Sequence, residues 1–131
     1  MALHIVDEFG RYYSASKRKL PKAIRDKITS LDQKDRDSIN NFILDKTSDG
    51  QIFCVATKFG FEKMNWADTP LFKLWKSCGK NNQIAAVILG HIVMEVLQQS
   101  NEDWTCSKTP ITKRDFEVNC FYVLENYKNV A

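Results

Sequence analysis

The chain has 131 residues, of which 44% are hydrophobic and 27% are charged. These proportions are typical of a folded globular protein, and the length fits one domain over 1–131. Fifteen aromatic residues exclude wholesale disorder, because disordered chains lack the large side chains that offset the entropy of ordering. The net charge is only +3, which is too small to indicate a class of binding partner.

Apolar spacing predicts helices through the first half of the chain. In 3–13 the apolar residues recur every three or four positions, which favours a helix. Pro21 suits the first turn of a second helix, where a missing N–H costs nothing. Ser30 and Gln33 have the spacing of a capping box for a third helix, which the turn signal Asp49-Gly50 should end.

The second half of the chain starts with a strand signal and returns to helices. Five consecutive apolar residues in 51–58 predict a short buried strand, which a turn at Gly60 could extend into a hairpin ending near 66. Helices are then predicted from Pro70 to Gly79, over 84–99 and over 112–127, with a loop at 100–108. The expected fold is mainly α, a single compact domain of about five helices with one short strand or β-hairpin near residues 51–66.

The segment 84–94 is the most apolar window of the sequence. It stops at Glu95, well short of the roughly 20 apolar residues that cross a bilayer, so we predict a core helix. Its inward side chains should be Ile88, Leu89, Ile92 and Val96. Acidic residues at 7 and 8 interrupt the apolar run that a signal peptide would need. We therefore expect a cytoplasmic protein without a membrane segment.

Four separated cysteines are expected to be reduced thiols. Cys54, Cys78, Cys106 and Cys120 include no CxxC pair, and a cytoplasmic protein rarely holds disulfides. With only two histidines and no clustered thiols, the sequence predicts no metal site. Neither a P-loop nor a GxGxxG motif is present, so no cofactor is predicted.

The sequence contains no constellation typical of an enzyme. His91 lies in the most apolar segment and reads as a core histidine, whereas His4 is close to the first residue. Asp32, Asp35 and Asp37 suit the positive end of a helix better than an acid–base pair. We predict no catalytic residue. A hydrolase or nuclease that uses His91 or His4 is retained as a third hypothesis, although the nucleophile–base geometry it needs has no sequence signature.

A basic segment precedes and enters the second helix. Its cations are opposed there only by Asp26, and they are Arg11, Lys17, Arg18, Lys19, Lys22, Arg25 and Lys27. Such a segment could follow the phosphates of a nucleic acid, with the neighbouring Tyr12 and Tyr13 available for stacking. The plainer interpretation is a solvated connector and helix face, because a run of charged residues alone has no geometry for recognising bases.

Aromatic residues are concentrated between the strand and the next helix. Four large side chains fall in this connection: Phe59, Phe61, Met64 and Trp66. Connections usually run over the surface, where aromatic anchors dominate binding energy. The competing interpretation places them in the core, because a small domain needs large side chains for its own stability.

The leading functional hypothesis is a non-catalytic, intracellular protein-binding module. Its finer form is a protein of the inhibitor or immunity type, which binds and neutralises a partner enzyme or toxin through Phe59–Trp66. The main alternative is a nucleic-acid-binding protein that uses the basic segment 11–27. No cofactor, metal or membrane is expected to take part.

Overall fold

A computed structural model describes residues 2–6, 12–14, 21–50, 53–59, 66–100, 103–107 and 120–123. More than half of these residues are helical, so the predicted mainly α composition is confirmed. The helices of the described part are α1 (Lys22–Thr29), α2 (Gln33–Lys46), α3 (Val55–Phe59), α4 (Leu71–Ser77) and α5 (Asn82–Gln99). The strands are β1 (Ala2–Val6), β2 (Tyr12–Ser14), β3 (Phe53–Cys54), β4 (Asp103–Ser107) and β5 (Cys120–Val123).

The strands form one mixed sheet that is larger than the sequence predicts. Its order is β2-β1-β4-β5-β3, with β1 and β4 parallel and the other neighbours antiparallel. Of the described part of the strand predicted over 51–58, only β3 is a strand. The prediction is wrong from Val55 onward, where the chain turns into α3. The expected continuation of a hairpin over 60–65 lies outside the described residues. Because β1 and β4 are parallel, the chain between them must cross over the sheet, and it does so through the helices.

The helix predicted over 3–13 is wrong. Residues 2–6 and 12–14 are β1 and β2, which pair antiparallel with Ile5 opposite Tyr13. Leu3 and Ile5 are both fully buried at a spacing of two, the period of a strand. A segment this short can fit both the helical period and the strand period of two. Pairing with the distant strand β4 is what makes residues 2–6 a strand.

Two predictions near the end of the chain are also wrong where the structure describes them. The loop expected over 100–108 contains β4, in which Trp104, Thr105 and Cys106 are all buried. The helix expected over 112–127 contains β5, which pairs with both β4 and β3. In both cases hydrogen bonding within the sheet overrides the local pattern. Residues 112–119 and 124–127 of that predicted helix lie outside the described residues.

The core lies between α5 and the sheet. α5 contacts β1 and β4, where Leu3 is opposite Trp104 and Ile5 is opposite Cys106 in register. All four side chains predicted to face inward are buried, namely Ile88, Leu89, Ile92 and Val96. The predicted core helix is therefore confirmed. No helix among the described residues combines the length and apolar character needed to cross a membrane.

The end of α4 and the start of α5 follow the sequence signals. Gly79 has φ +67°, a left-handed conformation that glycine adopts without steric cost, and α4 ends just before it as predicted. The backbone N–H of Lys80 donates to the Trp75 carbonyl at 3.0 Å, as in a Schellman motif. Asn81 Oδ1 then accepts from Ile84 N at 3.0 Å and caps α5.

The capping box predicted for Ser30 and Gln33 does not form. Ser30 instead ends α1, where its hydroxyl donates to the Lys27 carbonyl at 2.7 Å. α2 begins at Gln33, whose amide nitrogen donates to Asp37 Oδ1 at 2.7 Å. α2 therefore starts later than the motif implies, because the Ser30 side chain bonds to a carbonyl at the C-terminal end of α1.

Candidate functional site

The two described members of the aromatic connection are part of the core. Phe59 is 6% exposed and Trp66 is 0% exposed. The Trp66 indole N–H donates to the Phe59 carbonyl at 2.9 Å. This hydrogen bond satisfies the polar nitrogen of the buried ring. These positions agree with the core interpretation and do not provide the exposed anchors that the interface interpretation requires. Phe61 and Met64 lie outside the described residues.

Phe59 belongs to a ring cluster that joins helices to the sheet. Its ring centroid lies 6.1 Å from that of Phe42 on α2 and 6.1 Å from that of Phe53 on β3. Phe53 in turn meets Trp104 on β4 edge-on at 5.6 Å. Rings in this arrangement stabilise one another beyond the area they bury. The aromatic residues of this region therefore hold β3 and α3 against the body of the protein.

The described part of the basic segment is on the surface. Lys22, Arg25 and Lys27 are all exposed on α1, and none has an ion-pair partner among the described residues. The other proposed nucleic-acid-binding residues, Arg11, Lys17, Arg18 and Lys19, lie outside the described residues. The structure thus brings three cations together on one short helix.

Large apolar side chains are also exposed at places that the sequence analysis did not single out. Leu44 on α2 is 41% exposed, and Ile84 and Val87 on α5 are 44% and 52% exposed. The sequence carried one signal for Leu44, which follows Phe42 and Ile43. A single helix face can bury only part of three consecutive apolar residues, and here Ile43 takes the fully buried position.

Leu44 lines an open groove between α2 and the end of α5. This α2–α5 groove has a volume of about 230 Å³ and is lined by Asn40, Leu44, Val96, Gln99 and Ser100. Binding sites for drug-sized ligands usually occupy about 300–1,000 Å³. The groove is therefore smaller than a typical cofactor pocket, and its size suits an individual side chain.

An ion pair joins the two helices that form the α2–α5 groove. Arg36 Nη2 donates to Glu95 Oε2 at 2.5 Å and so joins α2 to α5. The same guanidinium donates through Nε to Asn40 Oδ1 at 3.0 Å. Because Arg36 uses the oxygen of the Asn40 amide, the amide NH₂ of Asn40 is oriented as a donor. Gln99 adds a second amide on the opposite wall.

The groups considered for catalysis lie on several elements of the described part of the chain. His4 on β1 and His91 on α5 are both half-buried and belong to different elements. Asp35 is engaged by Lys73 Nζ at 2.9 Å, and Asp37 accepts from Gln33, as surface charges do. No group of three His, Cys, Asp or Glu side chains within the described ranges could hold a metal ion.

Cys78 is a poor candidate nucleophile. Burial raises the pKa of its thiol, although a hydrogen bond with Ser77 and the charge of Lys27 both lower it. The thiolate is the reactive form of cysteine, so a raised pKa leaves little of it near neutral pH. Cys78 lies just after α4, and its backbone N–H donates to the Leu74 carbonyl at 3.1 Å.

Comparison of the chain with protein-family models, with curated proteins and with solved structures gives no match. A function must therefore rest on the surfaces of the molecule itself. Among the described residues, the α2–α5 groove and the exposed cations of α1 are surface features on which a proposal can be built.

Proposed function

We propose that the protein is a non-catalytic protein-binding module whose α2–α5 groove receives an aliphatic side chain of a partner protein. The observation that carries this proposal is Leu44, which is 41% exposed and lines the groove together with the buried Val96. An apolar side chain placed there removes water from both surfaces. Burial of one aliphatic side chain is worth about 1.5–3 kcal/mol.

The polar lining of the groove favours a peptide segment as the occupant. The amides of Asn40 and Gln99 line the groove beside Leu44 and Val96, and the Asn40 NH₂ is left as a donor because Arg36 bonds to the amide oxygen. An amide NH₂ donates well to a backbone carbonyl, and every peptide segment has one beside each side chain. An apolar centre with a polar rim is also the usual anatomy of a protein interface.

The finer proposal is an intracellular protein of the inhibitor or immunity type. Such a protein acts by covering a functional surface of its partner enzyme or toxin, and it needs no catalytic group of its own. The partner's activity should then fall in proportion to the amount of this chain bound. The burial of Phe59 and Trp66 moves the proposed contact from the aromatic connection to the α2–α5 groove.

The test compares two matched charge substitutions in capture from native lysate, with and without nuclease treatment. Leu44→Glu places a carboxylate in the groove, whereas Val87→Glu makes the same change at an exposed position outside its lining. We expect one stoichiometric protein on the wild type and on Val87→Glu, resistant to nuclease, and its loss on Leu44→Glu. Titration of the identified partner should then show Leu44→Glu binding at least about 10-fold more weakly. Equal retention by both variants would contradict the proposal.

A second candidate function is nucleic-acid binding through α1. The supporting observation is the exposure of Lys22, Arg25 and Lys27 without an ion-pair partner among the described residues. Each phosphate contact should reduce affinity by roughly one log unit per log unit of salt. Charge reversal at Lys22 and Arg25, tested beside reversal at Lys17, Arg18 and Lys19, should weaken retention on immobilised RNA or DNA. A wild-type protein that is not retained even at low salt would eliminate this candidate.

A further inference from the structure

The β3–β5 strand pair brings two cysteines of distant sequence position to the same register position. β3 consists of Phe53 and Cys54, and it pairs antiparallel with β5 at the edge of the sheet. In that pairing Phe53 is opposite Phe121, and Cys54 is opposite Cys120. The sheet therefore aligns one cysteine with the other across two hydrogen-bonded strands.

This juxtaposition meets the backbone requirement for a disulfide bond. Directly opposed residues of antiparallel strands have Cα atoms about 4.5–5.5 Å apart. Disulfide-bonded cysteines usually have Cα atoms about 4.4–6.8 Å apart, so directly opposed positions fall within the Cα range of a disulfide. We propose that Cys54 and Cys120 are a redox-sensitive pair, which forms an intrachain disulfide across β3 and β5 when the protein meets a small-molecule disulfide.

The other two cysteines are not placed for this reaction. Cys106 is opposite Phe121, one position out of register with Cys120, and adjacent positions of a strand belong to opposite faces of the sheet. Cys78 follows α4, outside the sheet, and both Cys78 and Cys106 are buried free thiols. The pairing is therefore specific to Cys54 and Cys120, although the chain offers four cysteines.

The reaction with glutathione disulfide proceeds in two exchanges. One protein thiolate attacks a sulfur of glutathione disulfide, which forms a protein–glutathione mixed disulfide and releases one glutathione thiolate. The second protein thiolate then attacks the protein sulfur of that mixed disulfide, which forms the Cys54–Cys120 bond and releases the second glutathione. The two protein thiols lose two electrons and two protons, and one glutathione disulfide becomes two reduced glutathiones.

The bond would fix the edge strand that the aromatic cluster already supports. β3 has only two residues, and its Phe53 ring packs against Phe59 and Trp104. A covalent link to β5 adds a constraint on the unfolded chain between these distant positions. We therefore expect oxidation to raise Tm without a change of fold, and a reductant to reverse the rise.

The test titrates the reduced 131-residue chain with glutathione disulfide, and it counts thiols by alkylation in denaturant and by intact mass. We expect the alkylated thiols to fall from four to two, the mass to fall by two hydrogens, and peptide mapping to identify Cys54 joined to Cys120. The oxidised protein should have a Tm about 5–15 °C higher than the reduced protein.

Two single variants serve as matched controls. Cys54→Ser and Cys120→Ser each lack one nucleophile, so each should stop at the glutathione mixed disulfide and show no rise in Tm. Four free thiols after oxidation, an intrachain bridge to Cys78 or Cys106, or a crosslinked dimer would overturn the proposal. An oxidised monomer with a Tm no higher than that of the reduced protein would also overturn it, because the bond would then distort the strand pair.

Discussion

Two sets of apolar residues in this protein have opposite surroundings. Phe59 and Trp66, which are large and aromatic, are almost wholly buried, whereas the smaller aliphatic Leu44 and Val87 are 41% and 52% exposed. Residue type and the local concentration of aromatic side chains favour the aromatic connection as the interface. Among the described residues, however, the exposed large apolar side chains lie on α2 and α5. Exposure thus depends on which elements pack together, rather than on how apolar a segment is.

The difference has a physical cause in each set. Trp66 is surrounded, its indole N–H is bonded to Phe59, and Phe59 contacts rings from two other elements. Leu44 belongs to a helix that buries Ile39 and Ile43 on one face, so the adjacent position turns outward. The following predictions test this comparison, from the largest expected effect on stability to the smallest.

Trp66→Ala should have the largest effect. It removes a fully buried ring together with the hydrogen bond to the Phe59 carbonyl, and we expect a loss of about 3–5 kcal/mol in the free energy of unfolding. Urea denaturation of the variant and the wild type measures this loss. A variant that retains wild-type stability would place Trp66 on the surface and restore the aromatic connection as a candidate interface.

Leu89→Ala should destabilise the protein by about 2–5 kcal/mol, because Leu89 is fully buried where α5 faces the core. Ile88→Ala should behave alike. Val87→Ala is the matched control on the same helix. A change within about 0.5 kcal/mol is expected there, since the residue is 52% exposed. Losses below about half a kcal/mol at both Ile88 and Leu89 would show that α5 is peripheral.

Glu95→Gln should have a smaller effect, because the Glu95 side chain is 39% exposed while it pairs with Arg36. Partly exposed ion pairs contribute up to about 1 kcal/mol, and we expect a loss in that range. The substitution should also weaken partner binding, since Arg36 orients Asn40 in the α2–α5 groove. Asp35→Asn is the control, because it breaks the pair with Lys73 and does not line the groove. Equal affinities of Glu95→Gln and Asp35→Asn for the partner would show that the Arg36–Glu95 ion pair does not contribute to binding in the groove.

Leu44→Ala should have the smallest effect on folding. The side chain is already 41% exposed, so we expect the free energy of unfolding to change by no more than about 0.5 kcal/mol. Chemical denaturation beside Trp66→Ala provides the comparison directly. A loss of several kcal/mol at Leu44 would mean that the groove is part of the core.

The middle of the chain could be predicted because its signals are local. The apolar spacing of α5 and the glycine after α4 lie within single segments, and both predictions match the structure. The predicted capping box does not form, because Ser30 lies between the end of α1 and the start of α2. Its hydroxyl bonds to the Lys27 carbonyl of α1 and not to the start of α2. Local rules therefore identify an element better than its boundaries.

The sheet could not be predicted in the same way. β1 and β4 are separated by about a hundred positions, and their pairing decides the state of both segments. Short strands such as Ala2–Val6 carry too few residues for the period of two to outweigh a helical reading. The α2–α5 groove is hidden from the sequence for the same reason, because Leu44 and Val96 meet only after α2 and α5 pack together.

The most direct test of the account is the affinity of the captured partner for two variants that retain the fold. Leu44→Ala should raise Kd by at least about 10-fold, whereas Trp66→Phe, which keeps an aromatic ring in the core, should leave Kd within about twofold of the wild type. Calorimetric titration of both variants, with circular dichroism to confirm folding, gives the answer. An unchanged Kd for Leu44→Ala together with weakened binding by folded Trp66→Phe would contradict the assignment of the α2–α5 groove as the binding surface.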